Sequence, residues 1–384
     1  MKQQSLKKWI YSAVTIMSVG VLAACSSTTS STTSSSSSSQ VTTASSSSSA
    51  SSSSSESTSS IDWSALPTTE VSLTDEGLTI TEGGTYVLTG STIGGVTVET
   101  DANVRIILAG ATISSSDTAA INVISADNVE IELQDGTENT VKDSSTHSDT
   151  NIEGAIHVEA DLSITGNGSL TVEGNFQDGI VSTDDMVINA GNIKVTAVDD
   201  GIRGKDSMTI NGGTIDVTVG GDGIKSTNDS DTTKGYTTIT GGTISVAAGD
   251  DGIKAEMALT IDGGDITVSE SLEALEGTNI TINGGTLDVY GADDAINAAS
   301  TISTDIFIKV TGGDLKVAVG SGDTDAFDAN GDIFISGGTI DVTAQSAFDF
   351  DGTAELTGGT VTVNGEQITE ITATGPGAGG HGGW

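Results

Sequence analysis

The chain has 384 residues, with 13 Lys+Arg against 53 Asp+Glu, a formal net charge of −40, 50 Gly, 2 Pro and 1 Cys. A single cysteine excludes an internal disulfide framework and a four-cysteine zinc site, and so negative a chain lacks the basic footprint that nucleic acid requires. Abundant glycine with almost no proline, 35% hydrophobic and 3% aromatic residues predict short strands, tight turns and a thin core of small aliphatic side chains.

At the N-terminus, Lys2, Lys7 and Lys8 precede an uncharged, mostly apolar stretch from Trp9 to Leu22. At about 14 residues it is short for a membrane span, which needs roughly 20. It ends in Leu22-Ala23-Ala24-Cys25 before Ser26, which resembles the lipobox of bacterial lipoproteins. Residues 1–24 are therefore read as a signal peptide, and Cys25 as the lipidated residue of a protein held on the extracellular face of a bacterial membrane by lipid alone. Loss of the leader takes the charge to −43. Residues 25–60 form the next unit, a linker: between 26 and 60, 30 of 35 residues are Ser or Thr. Such a segment buries no apolar surface, and its r.m.s. span is roughly 30–35 Å.

The folded domain is expected over 61–370, with a Gly-rich tail over 371–384. Its first half carries alternating segments at Tyr86–Thr89, Val96–Glu99, Val104–Leu108, Ile121–Ile124, Val129–Leu133, Ile156–Val158, Leu162–Ile164 and Leu170–Val172. From about residue 170 the chain repeats. An acidic, a small and an apolar residue recur as Asp178-Gly179-Ile180, Asp200-Gly201-Ile202, Asp222-Gly223-Ile224 and Asp251-Gly252-Ile253. The same phase continues in Glu273-Ala274-Leu275, Asp294-Ala295-Ile296 and Asp325-Ala326-Phe327, at steps of 22, 22, 29, 22, 21 and 31 residues. A strand followed by a glycine pair is a second marker, as in Met208-Thr209-Ile210-Asn211-Gly212-Gly213. A unit of about 22 residues holding about three strands leaves no room for a helix of roughly 10–12 residues. The pattern predicts an all-β, single-stranded parallel β-helix, a solenoid with about 22 residues per coil and like positions stacked about 4.8 Å apart. A calcium-binding β-roll is rejected, because its period is about nine residues.

Stacking turns the repeat into columns of chemistry. The acidic corner would pile carboxylates on successive coils, which repel unless neutralised. Ca²⁺ takes roughly six to eight oxygen ligands, so Asp199, Asp200, Asp222, Asp250, Asp251, Asp293 and Asp294 are the candidate metal ligands. The competing reading is plain turn chemistry at solvated Asp-Gly corners. Three residues further on, Arg203, Lys225 and Lys254 form a basic column, which with Lys205 is the candidate contact for the carboxylates of an acidic polysaccharide. The competing reading is a ladder of ion pairs. No catalytic residue is assigned: His147, His157 and His381 show no metalloprotease-like spacing, and no nucleophile or phosphate motif is present. With so few aromatics, no sugar-stacking platform is evident.

Several segments together resemble a known family. These are Gly83-Gly84-Thr85-Tyr86-Val87-Leu88, Gly136-Thr137-Glu138-Asn139-Thr140, the stretch Leu162 to Val172, Asp199-Asp200-Gly201-Ile202-Arg203-Gly204-Lys205-Asp206, and Asp250-Asp251-Gly252-Ile253-Lys254-Ala255. They are similar to bacterial extracellular carbohydrate-binding domain-containing proteins over about 78–365. The resemblance implies a right-handed parallel β-helix that binds calcium, together with acidic polysaccharides such as polygalacturonate, or cellulose. It also implies a fold like that of pectate lyases, which pair Ca²⁺ with an Arg or Lys base in β-elimination. The expectation is a monomeric, calcium-binding, non-catalytic polysaccharide-binding protein, with a lyase or a structural surface adhesin as alternatives.

Overall fold

The computed structural model describes residues 61–322 and 324–374. The expected leader, Cys25 and the linker lie outside the described residues, as do residues 375–384 of the tail.

Within the described residues the chain forms a short 3₁₀ turn, Trp63–Ala65, and 34 strands. The strands pair in parallel from coil to coil, apart from one antiparallel pair at the C-terminal end. The chain is thus a parallel β-helix, and its register follows the repeat. Ile202 stands opposite Ile224, which stands opposite Ile253, then Leu275, Ile296 and Phe327.

Each coil contributes to three sheets. The first contains Asp178–Ser182, Ile202–Gly204, Ile224–Ser226, Ile296–Ala298 and Asp325–Ala329. The second contains Asp185–Ile188, Ser207–Ile210, Tyr236–Ile239, Phe307–Val310 and Asp332–Ile335. In the third are Asn192–Ala197, Thr214–Val219, Thr243–Ala247, Asp265–Glu270, Thr286–Gly291 and Asp314–Val319. Two long strands, Ile253–Ile261 and Leu275–Ile282, run from the first sheet into the second without a break.

Period-two alternation directs the packing. In one coil Ile202, Met208, Ile210, Ile215 and Val217 point inward and are at most 1% exposed, each contributing about 1.5–3 kcal/mol relative to exposure. Their neighbours Thr209, Thr214 and Asp216 point outward. Like residues stack on like, so the core is a set of aliphatic columns, joined near the C-terminal end by the stacked rings of Phe327 and Phe348. At the corner between the second and third sheets, the second glycine of each pair has a left-handed φ: +99° at Gly213, +101° at Gly242, +103° at Gly264 and +94° at Gly285. Only glycine takes that conformation without strain. Just before it, Asn189, Asn211 and Thr240 bond along the axis. The Asn211 amide donates to Asn189 Oδ1 at 3.0 Å, and the Thr240 hydroxyl to Asn211 Oδ1 at 3.0 Å.

The expected first-half strands are present, several of them longer. Val104–Ser114 continues past Leu108 around a corner, because Gly110 takes φ +84° and Asn139 Oδ1 accepts the N–H groups of both Gly110 and Ala111 at 2.9 Å. The last coil closes with the hairpin Thr360–Val363 and Glu366–Ile368. Its tip is Asn364-Gly365, with φ of +51° and +85°, the pairing that a two-residue hairpin turn favours. Residues 371–374 pack on this end: Ile371 is 9% exposed, and the Thr374 N–H donates to the Phe348 carbonyl at 2.9 Å. The folded domain therefore runs past 370, and the expected tail boundary moves to at least Thr374.

Candidate functional site

The acidic marker residues stack where the third sheet turns into the first, and they are largely buried. Exposure is 3% at Asp178, 7% at Asp200, 5% at Asp222 and 4% at Asp251. Burial has a structural cause. Oδ1 of Asp178 accepts the backbone N–H of Asp200 at 3.2 Å, Asp200 that of Asp222 at 2.9 Å, and Asp222 that of Asp251 at 2.9 Å. Further along, Asp294 Oδ1 accepts the N–H of Asp325 at 2.7 Å. Each carboxylate thus caps the corner of the following coil, satisfying an N–H that would otherwise be buried and unpaired.

The second oxygen of each carboxylate meets the basic column. Arg203 Nη2 lies 2.7 Å from Asp178 Oδ2 and also pairs with Glu153. Lys225 Nζ lies 2.5 Å from Asp200 Oδ2 and 2.9 Å from Asp222 Oδ2. Lys254 Nζ lies 2.8 Å from Asp251 Oδ2 and pairs with Glu276 as well. Burial opposes the charge on Arg203, Lys225 and Lys254, but the facing carboxylates outweigh it and raise all three pKa values. Three of the four expected sugar contacts are thus internal counter-ions. The fourth, Lys205, is exposed and, with Lys309, has no ion pair among the described residues.

Beyond Lys254 the basic column ends. Glu276, Asn297, Asp328 and Asp349 continue it in register, so the acidic corner there faces amide and carboxylate. Burial pushes Glu273 up to about 7, and Asp251 and Asp294 add to the shift while Asn297 opposes it. Burial likewise raises Asp294 to about 6, with Asp293 and Asp325 adding. Asp328 rises to about 7 through burial and the charges of Asp294, Asp325 and Asp349. Upstream, burial lifts Asp178 to about 6 although Arg203 stands beside it.

Of the expected metal ligands, the fold brings Asp222, Asp250 and Asp251 together, with one oxygen from each within 4.8 Å of the others. Asp251 also groups in this way with Glu273 and Glu276, two residues that the sequence reading left out. The signal was available, since Glu273 keeps the phase of the acidic marker and Glu276 that of the basic column. Asp199, Asp250 and Asp293 are exposed beside this corner, and Asp294 is half-buried. Among the described residues, His147 and His157 are internal. His147 stacks on Phe176 with ring centroids 4.4 Å apart, and its Nε2 lies 3.0 Å from Asp143. Burial, then Arg203, lowers the pKa of His157 to about 4.

A family model described as carbohydrate-binding domain-containing protein matches residues 74–326. The chain belongs to this family. A carbohydrate-binding domain-containing protein of Acetivibrio thermocellus is 33% identical over 135 residues, which are 33% of this chain and 47% of that relative. The chain thus matches about half the length of that relative. Among solved structures, a polysaccharide lyase-like protein from C. thermocellum, determined as a gadolinium derivative, is similar with a TM-score of 0.53 and 30% identity, over 63% of this chain and 98% of that one.

Proposed function

We propose that the protein is a calcium-binding, non-catalytic polysaccharide-binding module, displayed on the bacterial surface by a lipid on Cys25, with acidic chains such as polygalacturonate as its ligands. The observation that carries the non-catalytic reading is the state of the basic column. A general base must be deprotonated to act, and the groups that a lyase mechanism would recruit, Arg203, Lys225 and Lys254, are held protonated by paired carboxylates. Calcium is supported by the acidic corner at the end of the basic column, where Lys254 is the last cation and is shared between Asp251 and Glu276. Glu273, Glu276 and Asp251 offer hard oxygen donors close together, the chemistry Ca²⁺ selects, with Asp294 on the next coil. Asp200 and Asp222 are less available, since each already accepts an N–H and a lysine. A bound cation there would also offset the repulsion between this acidic protein and an acidic glycan.

The test is retention of the full mature chain on polygalacturonate and on cellulose, with Ca²⁺ and with a chelator. Binding to polygalacturonate that falls at least tenfold on chelation is the expected result, and retention on neither polymer overturns the reading. The lyase-like structural neighbour favours a second reading, calcium-dependent β-elimination. Ultraviolet absorbance of unsaturated uronate, growing with time and with enzyme concentration, would establish it in place of simple binding.

A further inference from the structure

We propose that the glycan lies in a notch on the outer face of the second sheet, walled by Tyr236 and Phe307 and served by Lys309. The inference rests on the polysaccharide-binding reading and gives that reading a place and a set of contacts.

The notch arises from the two long steps of the repeat. The 29-residue step adds chain before Tyr236, and the 31-residue step adds chain before Phe307. Both additions fall at the corner between the first and second sheets, and residues 229–233, 301, 302, 304 and 305 in them are exposed. The two coils between have no addition, and their strands Ile253–Ile261 and Leu275–Ile282 pass that corner unbroken. Extra chain therefore stands on either side of two bare coils. The register runs Tyr236, Ala258, Asn279, Phe307, so at about 4.8 Å per rung the backbone rows that carry the two aromatic side chains are about 14 Å apart. One polysaccharide chain fits that width.

The lining matches a sugar. Tyr236 is 37% exposed, and its hydroxyl is tied back to the Thr232 carbonyl at 3.0 Å, which leaves the ring to meet the apolar face of a pyranose. The floor is small and polar: Ala258 leaves space, Thr260 and Thr281 offer hydroxyls for the ring edges, and Asn279 offers its amide oxygen, its nitrogen being held by the Thr278 and Asp305 carbonyls. These side chains face outward, because Leu259, Ile261, Ile280 and Ile282 between them are fully buried. Tyr236 and Phe307 thus supply the stacking surface that overall composition did not reveal, and both lie within the span matched by the family model.

Charge selects the ligand. Lys309 stands in register with Thr281, one coil beyond the floor, and is exposed. It belongs to the same strand as Phe307 and, unlike the basic column, is not engaged by a carboxylate. It is the cation available to a uronate in the notch. Glu256 and Asp305 border the same space, so Lys309 sets the balance for an anionic chain.

The experiment compares Tyr236→Ala, Phe307→Ala, Lys309→Met and Tyr290→Ala in the full mature chain with calcium, titrated with polygalacturonate and with soluble cello-oligosaccharide, after thermal melts confirm folding. Tyr290 is the control: it is equally exposed at 37% but belongs to the third sheet. Tyr236→Ala and Phe307→Ala are expected to weaken polygalacturonate binding at least tenfold, Lys309→Met about fivefold, and Tyr290→Ala less than twofold. Wild-type binding that survives Tyr236→Ala and Phe307→Ala overturns the notch while leaving the polysaccharide reading intact, and so does equal loss in Tyr290→Ala. Binding of cello-oligosaccharide alone, unchanged by Lys309→Met, overturns the anionic ligand. No binding by wild type removes the parent reading and the notch with it.

Discussion

At the scale of single residues, the buried aspartates do two jobs. One oxygen of Asp200 holds the Asp222 N–H at 2.9 Å, and the other faces Lys225 at 2.5 Å. Asp200→Ala strands a buried N–H and takes from Lys225 one of its two carboxylates, so it should cost about 2–4 kcal/mol. Asp200→Asn keeps an acceptor for the N–H and should cost less. Urea denaturation of both variants checks the ranking, and a loss below about 0.5 kcal/mol for Asp200→Ala would show that the ladder carries no stability. The Asp-Gly dipeptide in the sequence pointed to a turn at a solvated corner. The turn is there, but the aspartate is inside it, and its exposure depends on a neighbouring coil that no local reading contains.

At the scale of the element, what repeats is the corner as much as the strand. Strands tolerate exchange among Ile, Val and Leu at inward positions, whereas the second glycine of each pair does not tolerate a side chain. At Gly264 the backbone has φ +103°, and an added Cβ would lie 3.2 Å from the Gly242 carbonyl oxygen. Gly264→Ala combines strain with a close approach to backbone and should destabilise by about 1–3 kcal/mol. A matching fall in the midpoint of chemical denaturation, at unchanged slope, is the expected readout. The repeat spacing made these glycines visible at once. It did not say that the two irregular steps place their extra chain at one corner, since that needs the register between coils.

At the scale of the whole described β-helix, charge sets the pH response. Asp178, Glu273, Asp294 and Asp328 have folded pKa values of about 6 to 7, above the roughly 4 of unfolded carboxyls. Between those limits the native state holds more protons than the unfolded one, so stability falls as pH rises from about 4 to 7. His157, lowered to about 4, works in the opposite direction, losing its contribution as pH falls below about 6.5. Four groups outweigh one. In a chelator, the melting temperature should be lower at pH 7.5 than at pH 5, and Ca²⁺ should shrink the difference by binding the native carboxylates. A melting temperature at pH 7.5 that calcium leaves unmoved would contradict cation binding at the acidic corner.

By itself the sequence determined the architecture. A fixed phase of about 22 residues, period-two alternation and glycine at regular corners admit a parallel solenoid and little else, because each signal is local and repeats. It also determined which residues share a column, and so brought Asp222, Asp250 and Asp251 into view. Tertiary structure decided what the columns do. Arg203, Lys225 and Lys254 could have faced a ligand or the acidic corner, and coil spacing sets them against the aspartates at 2.5–2.9 Å. The same stacking put Tyr236 and Phe307, 71 positions apart in the chain, on one face of one sheet. A repeat fixes order along the axis, but partner choice at a corner depends on distances between coils, which sequence order does not carry.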